Sequence, residues 1–203
     1  MGIVISELLG LSIYLCLTKF SMLQRKNTKA KILFFLLISL IILAKAYKYS
    51  TGTGLDLDEA EGGDNAWSLA NFGVDDHLAS WPVYLCAWGS GMNILYPLIA
   101  VPFIKVLGLS VAVYRLPLLV ISILAMLMFF YTLITIGEKD STIFIVMMVV
   151  FLSPVMIEYS RWSVESNLFP WLMVIFVSLL LLFVNQVESN NIKCPTYRVH
   201  FIN

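Results

Sequence analysis

The chain has 203 residues, 60% of them hydrophobic and 13% charged, and its 13 basic and 13 acidic side chains leave a formal net charge of zero. Soluble domains do not average so apolar a composition, so the chain reads as an integral membrane protein; without a basic balance, a nucleic-acid partner is excluded. Cys16, Cys86 and Cys194 lie too far apart for a zinc or redox motif, and with His77 and His200 as the only histidines a His-rich metal site is excluded as well.

A bilayer core takes roughly 20 apolar residues per helix, and five stretches approach that length: 2–20, 32–46, 111–136, 142–157 and 168–184. The first has no basic leader and is interrupted by Glu7, so it is expected to be a retained helix rather than a signal peptide. Arg25, Lys26, Lys29 and Lys31 follow it, and the positive-inside rule puts this short basic loop in the cytoplasm. The segment 50–114 and the turn 158–167 then lie outside, and the 137–141 turn and the C-terminal tail inside. Lys45 and Lys48, at the outer end of the second span, are expected to snorkel. A shorter apolar stretch, 94–107, contains Pro97, Pro102 and Lys105 and reads as a helix along or re-entering the interface. Residues 185–203 are polar and aperiodic. The expected fold is all-α integral membrane, with about five transmembrane helices and interfacial helices in a large first outside loop. It divides into an N-terminal helix with its basic loop (1–31), a membrane module with an acidic outside loop at 50–110 (32–184), and a polar tail (185–203).

Between 56 and 76 the outside loop carries Asp56, Asp58, Glu59, Glu61, Asp64, Asp75 and Asp76, and no Lys or Arg occurs between Lys48 and Lys105. Carboxylates beside a bilayer are costly unless they face water, a metal or a substrate. A helix is predicted between Asp58 and Asn71, capped by Asp56 or Asp58 and stopped at Gly73, with Ala60, Trp67 and Ala70 toward the membrane surface. Gly62 and Gly63 read as a flexible interruption. Any one of these acids reads most simply as a solvated loop residue or a cap. Their setting points further, because Trp67, Trp81, Tyr84, Trp88 and Tyr96 form an aromatic belt that holds the loop against the interface. A carboxylate held there can take a proton from an attacking hydroxyl or hold a hard divalent cation. Arg115 and Arg161 stand outside, against the positive-inside bias. Two readings stay open for them: pairing with the acidic loop, or binding a phosphate through the guanidinium fork. Glu165 and Asn167 add oxygen ligands on the same turn as Arg161, and His77 reads as a loop residue.

The order Asp58-Glu59-Ala60, Asp64-x-x-Trp67-x-Leu69, Asn71-Phe72-Gly73-Val74-Asp75, Trp81-Pro82-Val83-Tyr84, Gly89-Ser90-Gly91, Tyr96, Gly108-Leu109-Ser110, Arg115-Leu116-Pro117, Ser153-Pro154, Ser160-Arg161-Trp162 and Glu165-Ser166-Asn167 is informative as a series. Over about 47–183 it resembles membrane glycosyltransferases of the C-type fold. Within these it is similar to the family 39-like group of protein O-mannosyltransferases and the lipid A aminoarabinose transferase, in its bacterial branch. The resemblance implies a multi-pass plasma-membrane enzyme. It would move a sugar, with inversion, from a polyprenyl-phosphate donor to a lipid, glycan or protein acceptor at the extracytoplasmic face. It implies Asp58 as catalytic base with Glu59 beside it, and Arg161 and Arg115 on the donor phosphate. It also implies Asp58 and Glu165 as ligands of a divalent cation (Mg or Mn), and Asp64, Trp81, Tyr84 and Asn167 against substrate. Relatives often carry Asp where this chain has Glu165. Complete members continue through further spans, so the resemblance also implies an N-terminal part completed by missing helices, or by a second chain supplying them. The competing expectation is a non-catalytic or truncated subunit of a cell-envelope glycan or lipid assembly system. A transporter would need an internal repeat and charges at matching depth in its spans, and neither is found.

Overall fold

The structure, a computed structural model, describes residues 28–51, 54–87 and 89–189. The apolar stretch 2–20, the basic pair Arg25 and Lys26, Trp88 and the polar tail from 190 onward lie outside the described residues.

The described residues are mostly helical. Helix α1 spans Thr28–Ala46 and α2 spans Leu57–Phe72. A small hairpin follows, with β1 (Leu85–Ala87) antiparallel to β2 (Ser90–Met92) and Cys86 opposite Gly91. Then come α3 (Leu95–Leu107), α4 (Val111–Thr135), α5 (Asp140–Phe151), α6 (Pro154–Glu158), a 3₁₀ turn (Glu165–Asn167) and α7 (Leu168–Ser189).

Two segments, Val111–Thr135 and Glu165–Glu188, are long and apolar enough to cross a bilayer. Helix α1 has the length but carries Lys29, Lys31 and Lys45. The expected span 142–157 is two helices rather than one. Ser153 adopts an extended conformation, Pro154 takes the first position of α6, and the Ser153 hydroxyl accepts from the Met156 N–H at 3.3 Å. Proline has no N–H to continue a helix and pushes the residue before it out of helical geometry. The remaining α5 has 12 residues, which reach only about 18 Å.

Helix α2 is bounded as its sequence predicts. Asp56 is the extended N-cap, with its N–H 3.5 Å from the Glu59 carboxylate; Gly73, at φ 72°, closes the helix by donating to the Leu69 carbonyl at 3.1 Å. Helix α2 packs on α3, which packs on α4, and α4 packs on α7. Lys105, near the end of α3, donates to the Ala70 carbonyl of α2 at 2.8 Å. On the other side, α1 contributes Phe34, Leu37, Ile38, Ile41 and Ile42 to the same core.

The Gly62-Gly63 pair is helical and buried, not a flexible interruption. A Cβ at Gly62 would stand 2.3 Å from the Tyr114 hydroxyl oxygen and 3.3 Å from its ζ carbon, and one at Gly63 would stand 3.7 Å from the same ring. The two glycines form a notch in α2 that admits the first turn of α4, so their lack of side chains serves close approach. Tyr114 is held there edge-on to Tyr96, with ring centroids 5.2 Å apart.

Gly62→Ala is therefore expected to destabilise the protein, although alanine is the better helix former by about 1 kcal/mol. The clash should outweigh that gain, for a net loss of about 1–2 kcal/mol on the usual scale of overpacking. Combining Gly62→Ala with Tyr114→Phe, which removes the nearest atom, should restore most of it. Thermal unfolding of the purified protein in a mild detergent checks both, and a neutral Gly62→Ala would contradict the notch.

Candidate functional site

The charges that matter most are buried where α2 meets α4. Glu59 and Arg115 have side chains 1% exposed. Arg115 Nε donates to Glu59 Oε1 at 2.9 Å and Nη2 to Oε2 at 2.5 Å, a bidentate pair. The guanidinium also donates from Nη1 to the Tyr49 carbonyl at 3.2 Å and from Nη2 to the Gly54 carbonyl. Glu59 Oε1 accepts a further bond, from the Ser163 N–H at 2.6 Å. One ion pair thus joins the segment after α1, the start of α2, the start of α4 and the turn 161–167. Neither charge is tolerable at that depth unpaired, and the surrounding carbonyls and N–H groups satisfy what the pair leaves over.

Beside it, the fully buried Tyr96 hydroxyl donates to the Tyr114 carbonyl at 2.5 Å and lies 3.0 Å from Ser163 Oγ. Burial pushes the Tyr96 phenol well above its usual range, so it stays a hydroxyl and can donate. Ser163 is consequently held twice, by its N–H on Glu59 and by its hydroxyl on Tyr96.

Asp58 sits one residue from Glu59, and a 100° turn of the helix carries it to the opposite environment. It is exposed, and its carboxylate makes no hydrogen bond or ion pair among the described residues. Glu165 is half-buried at the head of the 3₁₀ turn, and its carboxylate makes no hydrogen bond or ion pair among the described residues. Asn167 is buried and donates to the Trp162 carbonyl at 2.7 Å, which closes the turn on itself. Arg161 Nη1 meets Glu158 at 3.3 Å, while Nε reaches the Lys45 carbonyl at 3.4 Å and Nη2 the Ala44 carbonyl. It thereby caps the C-terminal end of α1, where unpaired carbonyls favour a cation. Lys45 is buried beside it, its ammonium 3.9 Å from the centre of the Trp171 ring and 3.4 Å from the Met156 carbonyl. Asp64 is exposed on α2. Trp81 and Tyr84 are exposed on the loop after α2, where the Trp81 backbone N–H donates to the Gly73 carbonyl at 3.2 Å.

A groove of ≈ 650 Å³ opens between the approach to α2 and helix α6, lined by Leu55, Asp56, Pro154, Val155, Glu158, Tyr159 and Trp162. Sequence reasoning named none of these as site residues; the signal available was an acid and two aromatics on the turn that also carries Arg161. The metal question divides in a similar way. Among the described residues, neither Asp58 nor Glu165 belongs to a group of three converging ligand atoms; the trio that converges is Asp75, Asp76 and His77, within 4.8 Å of one another. That trio is a folded turn. Asp75 Oδ1 accepts from the His77 N–H at 3.0 Å and the Ala79 N–H at 2.7 Å, and Asp76 Oδ1 lies 2.6 Å from His77 Nδ1. No step below is routed through a metal.

Fold and site together define a helical protein with two helices of membrane-crossing length and a buried ion pair that fastens an acidic helix to the bundle. No family model matches the chain, and no curated protein and no solved structure matches it.

Removing one member of the buried pair should leave the other charge uncompensated. Arg115→Met and Glu59→Gln are each expected to lose about 3–5 kcal/mol of stability. The double variant should lose much less than the sum, a coupling that a double-mutant cycle on detergent-solubilised protein measures. Additive losses would mean that the pair is not formed.

Proposed function

We propose that this chain is the N-terminal part of a C-type membrane glycosyltransferase. It works as a multi-pass protein of the plasma membrane, transferring a sugar from a polyprenyl-phosphate donor to an acceptor hydroxyl at the extracytoplasmic face. The observation that carries the reading is the 2.6 Å bond from the Ser163 N–H to Glu59. It joins the start of the acidic helix to the turn 161–167 and so supports reading them as one site. In that site Glu59 is committed inward and its neighbour Asp58 is free outward.

On this reading Asp58 is the base. The acceptor oxygen attacks the anomeric carbon and gives its proton to the Asp58 carboxylate. The bond from that carbon to the phosphate oxygen breaks, and the polyprenyl phosphate leaves with the electron pair. Attack opposite the leaving group inverts the anomeric centre. Glu59 and Arg115 hold Asp58 in place rather than touching substrate, because the guanidinium's nitrogens and the carboxylate's oxygens are engaged within the protein. Arg161 remains the expected phosphate ligand only through the resemblance, because its side chain is 14% exposed and its three nitrogens are bonded to Glu158 and to the end of α1. Asp64, Trp81, Tyr84 and Asn167 remain expected substrate neighbours only through the resemblance. The non-catalytic subunit reading is favoured by one observation: Arg161 is engaged with the end of α1 and with Glu158.

Asp58→Asn decides between them. In native membranes supplied with a polyprenyl-phosphate sugar, sugar transfer is expected to fall by about 100-fold or more. Unfolding temperature should not change, since the Asp58 carboxylate makes no hydrogen bond or ion pair among the described residues. Transfer that persists undiminished in Asp58→Asn would remove Asp58 as the base.

A further inference from the structure

We propose that the groove between the approach to α2 and helix α6 is the acceptor subsite, and that it takes a neutral pyranose ring. The acceptor would thus be a sugar at the end of a glycan or glycolipid. The inference rests on the transferase reading for the reason a sugar arrives there; its chemistry comes from the groove itself.

The groove's ≈ 650 Å³ falls in the range of small-molecule sites, and its walls combine apolar surface with a few polar groups. Trp162, 39% exposed, and Tyr159 supply aromatic faces, on which the C–H face of a pyranose can lie. Asp56 and Glu158 supply carboxylates, which can only accept hydrogen bonds when ionised. The matching ligand is flat, apolar on one face and rich in hydroxyl donors at its edge.

Charge narrows the choice further. Two carboxylates line the groove and no Lys or Arg does; Glu158 is paired with Arg161, and Asp56 has no cationic partner among the described residues, so the lining carries net negative charge. An acidic sugar would meet like charge there. A donor sugar carries its phosphate on the anomeric oxygen, directly beside the ring, and would meet the same repulsion. An acceptor sugar brings no charge. Position agrees with this assignment: Asp56 is the N-cap of α2, and Asp58 stands in the first turn of that helix. The groove thus opens at the N-cap of the helix that carries the proposed base two positions further along the chain.

Saturation-transfer NMR on the full chain in phosphatidylcholine nanodiscs tests this without turnover, and avoids detergents with sugar headgroups. The probes are a methyl hexoside, the matching methyl uronoside and the hexose 1-phosphate. The methyl hexoside is expected to receive saturation, with the two anionic probes about tenfold weaker, the scale of a like-charge contact. Trp162→Ala should abolish the hexoside signal. Glu158→Gln should weaken it while letting the uronoside approach its level. Equal hexoside signals from the wild-type protein and Trp162→Ala would overturn the inference. So would binding of the hexose 1-phosphate at least as strong as that of the hexoside, which would make the groove a donor site. Because neither variant touches Asp58 and no transfer is read, failure here and failure of Asp58→Asn are separate results.

Discussion

Glu59 and Arg115 are both 1% exposed, in a molecule whose outer surface is largely apolar, and each is tolerable there only because the other is present. Four parts of the chain converge on them: the stretch around Tyr49 and Gly54, the first turn of α2, the first turn of α4, and Ser163. Burying one charged pair with all its partners is a demanding arrangement, and it leaves few alternatives for how these elements meet. Helix α2 has little apolar surface of its own to anchor it, with Ala66 and Leu69 as its buried hydrophobic residues. Its position depends on this ion pair and on the notch at Gly62 and Gly63.

The same constraint sorts the charges by role. Adjacent residues on a helix point to different sides, so fixing Glu59 inward delivers Asp58 outward. Arg161 and Lys45 settle a different junction, where the end of α1 meets α6 and α7. There helix-end carbonyls and the Trp171 ring join the Glu158 carboxylate in holding the two cations. The groove that Glu158 and Trp162 line also has Asp56, the N-cap of the acidic helix, in its wall. A hydroxyl-rich ligand fits such a wall better than an anionic one.

What could be read from the sequence followed the range of each interaction. The caps of α2, Asp56 and Gly73, are local and were legible. So was the existence of the helices, because hydrophobic runs report them directly. The break at Pro154 was signalled by the proline, yet the surrounding hydropathy outweighed it in the reading of 142–157 as one span. Gly62 and Gly63 were misread because their reason is Tyr114, which is remote in sequence, and glycine looks the same in a flexible loop and in a packing notch. Pairing of Arg115 with the acidic loop was one of two open readings, and no spacing rule could select Glu59 from its acidic neighbours. The capping of α1 by Arg161 left no sequence signal at all, since its acceptors are backbone carbonyls. The Asp75-Asp76-His77 turn was visible as a string, but its convergence comes from backbone N–H groups that fold it onto Asp75.

The bond from Ser163 to Glu59 unites the acidic helix with the turn 161–167, and amide hydrogen exchange at Ser163 reports on it directly. Ser163 lies outside regular secondary structure, so its N–H has no helical or strand partner to slow exchange. If Glu59 holds it, that amide exchanges slowly in the wild-type protein and as fast as an open loop in Glu59→Ala. Rapid exchange at Ser163 in the wild-type protein, unchanged by Glu59→Ala, would mean that the two segments are not joined and that no common site exists.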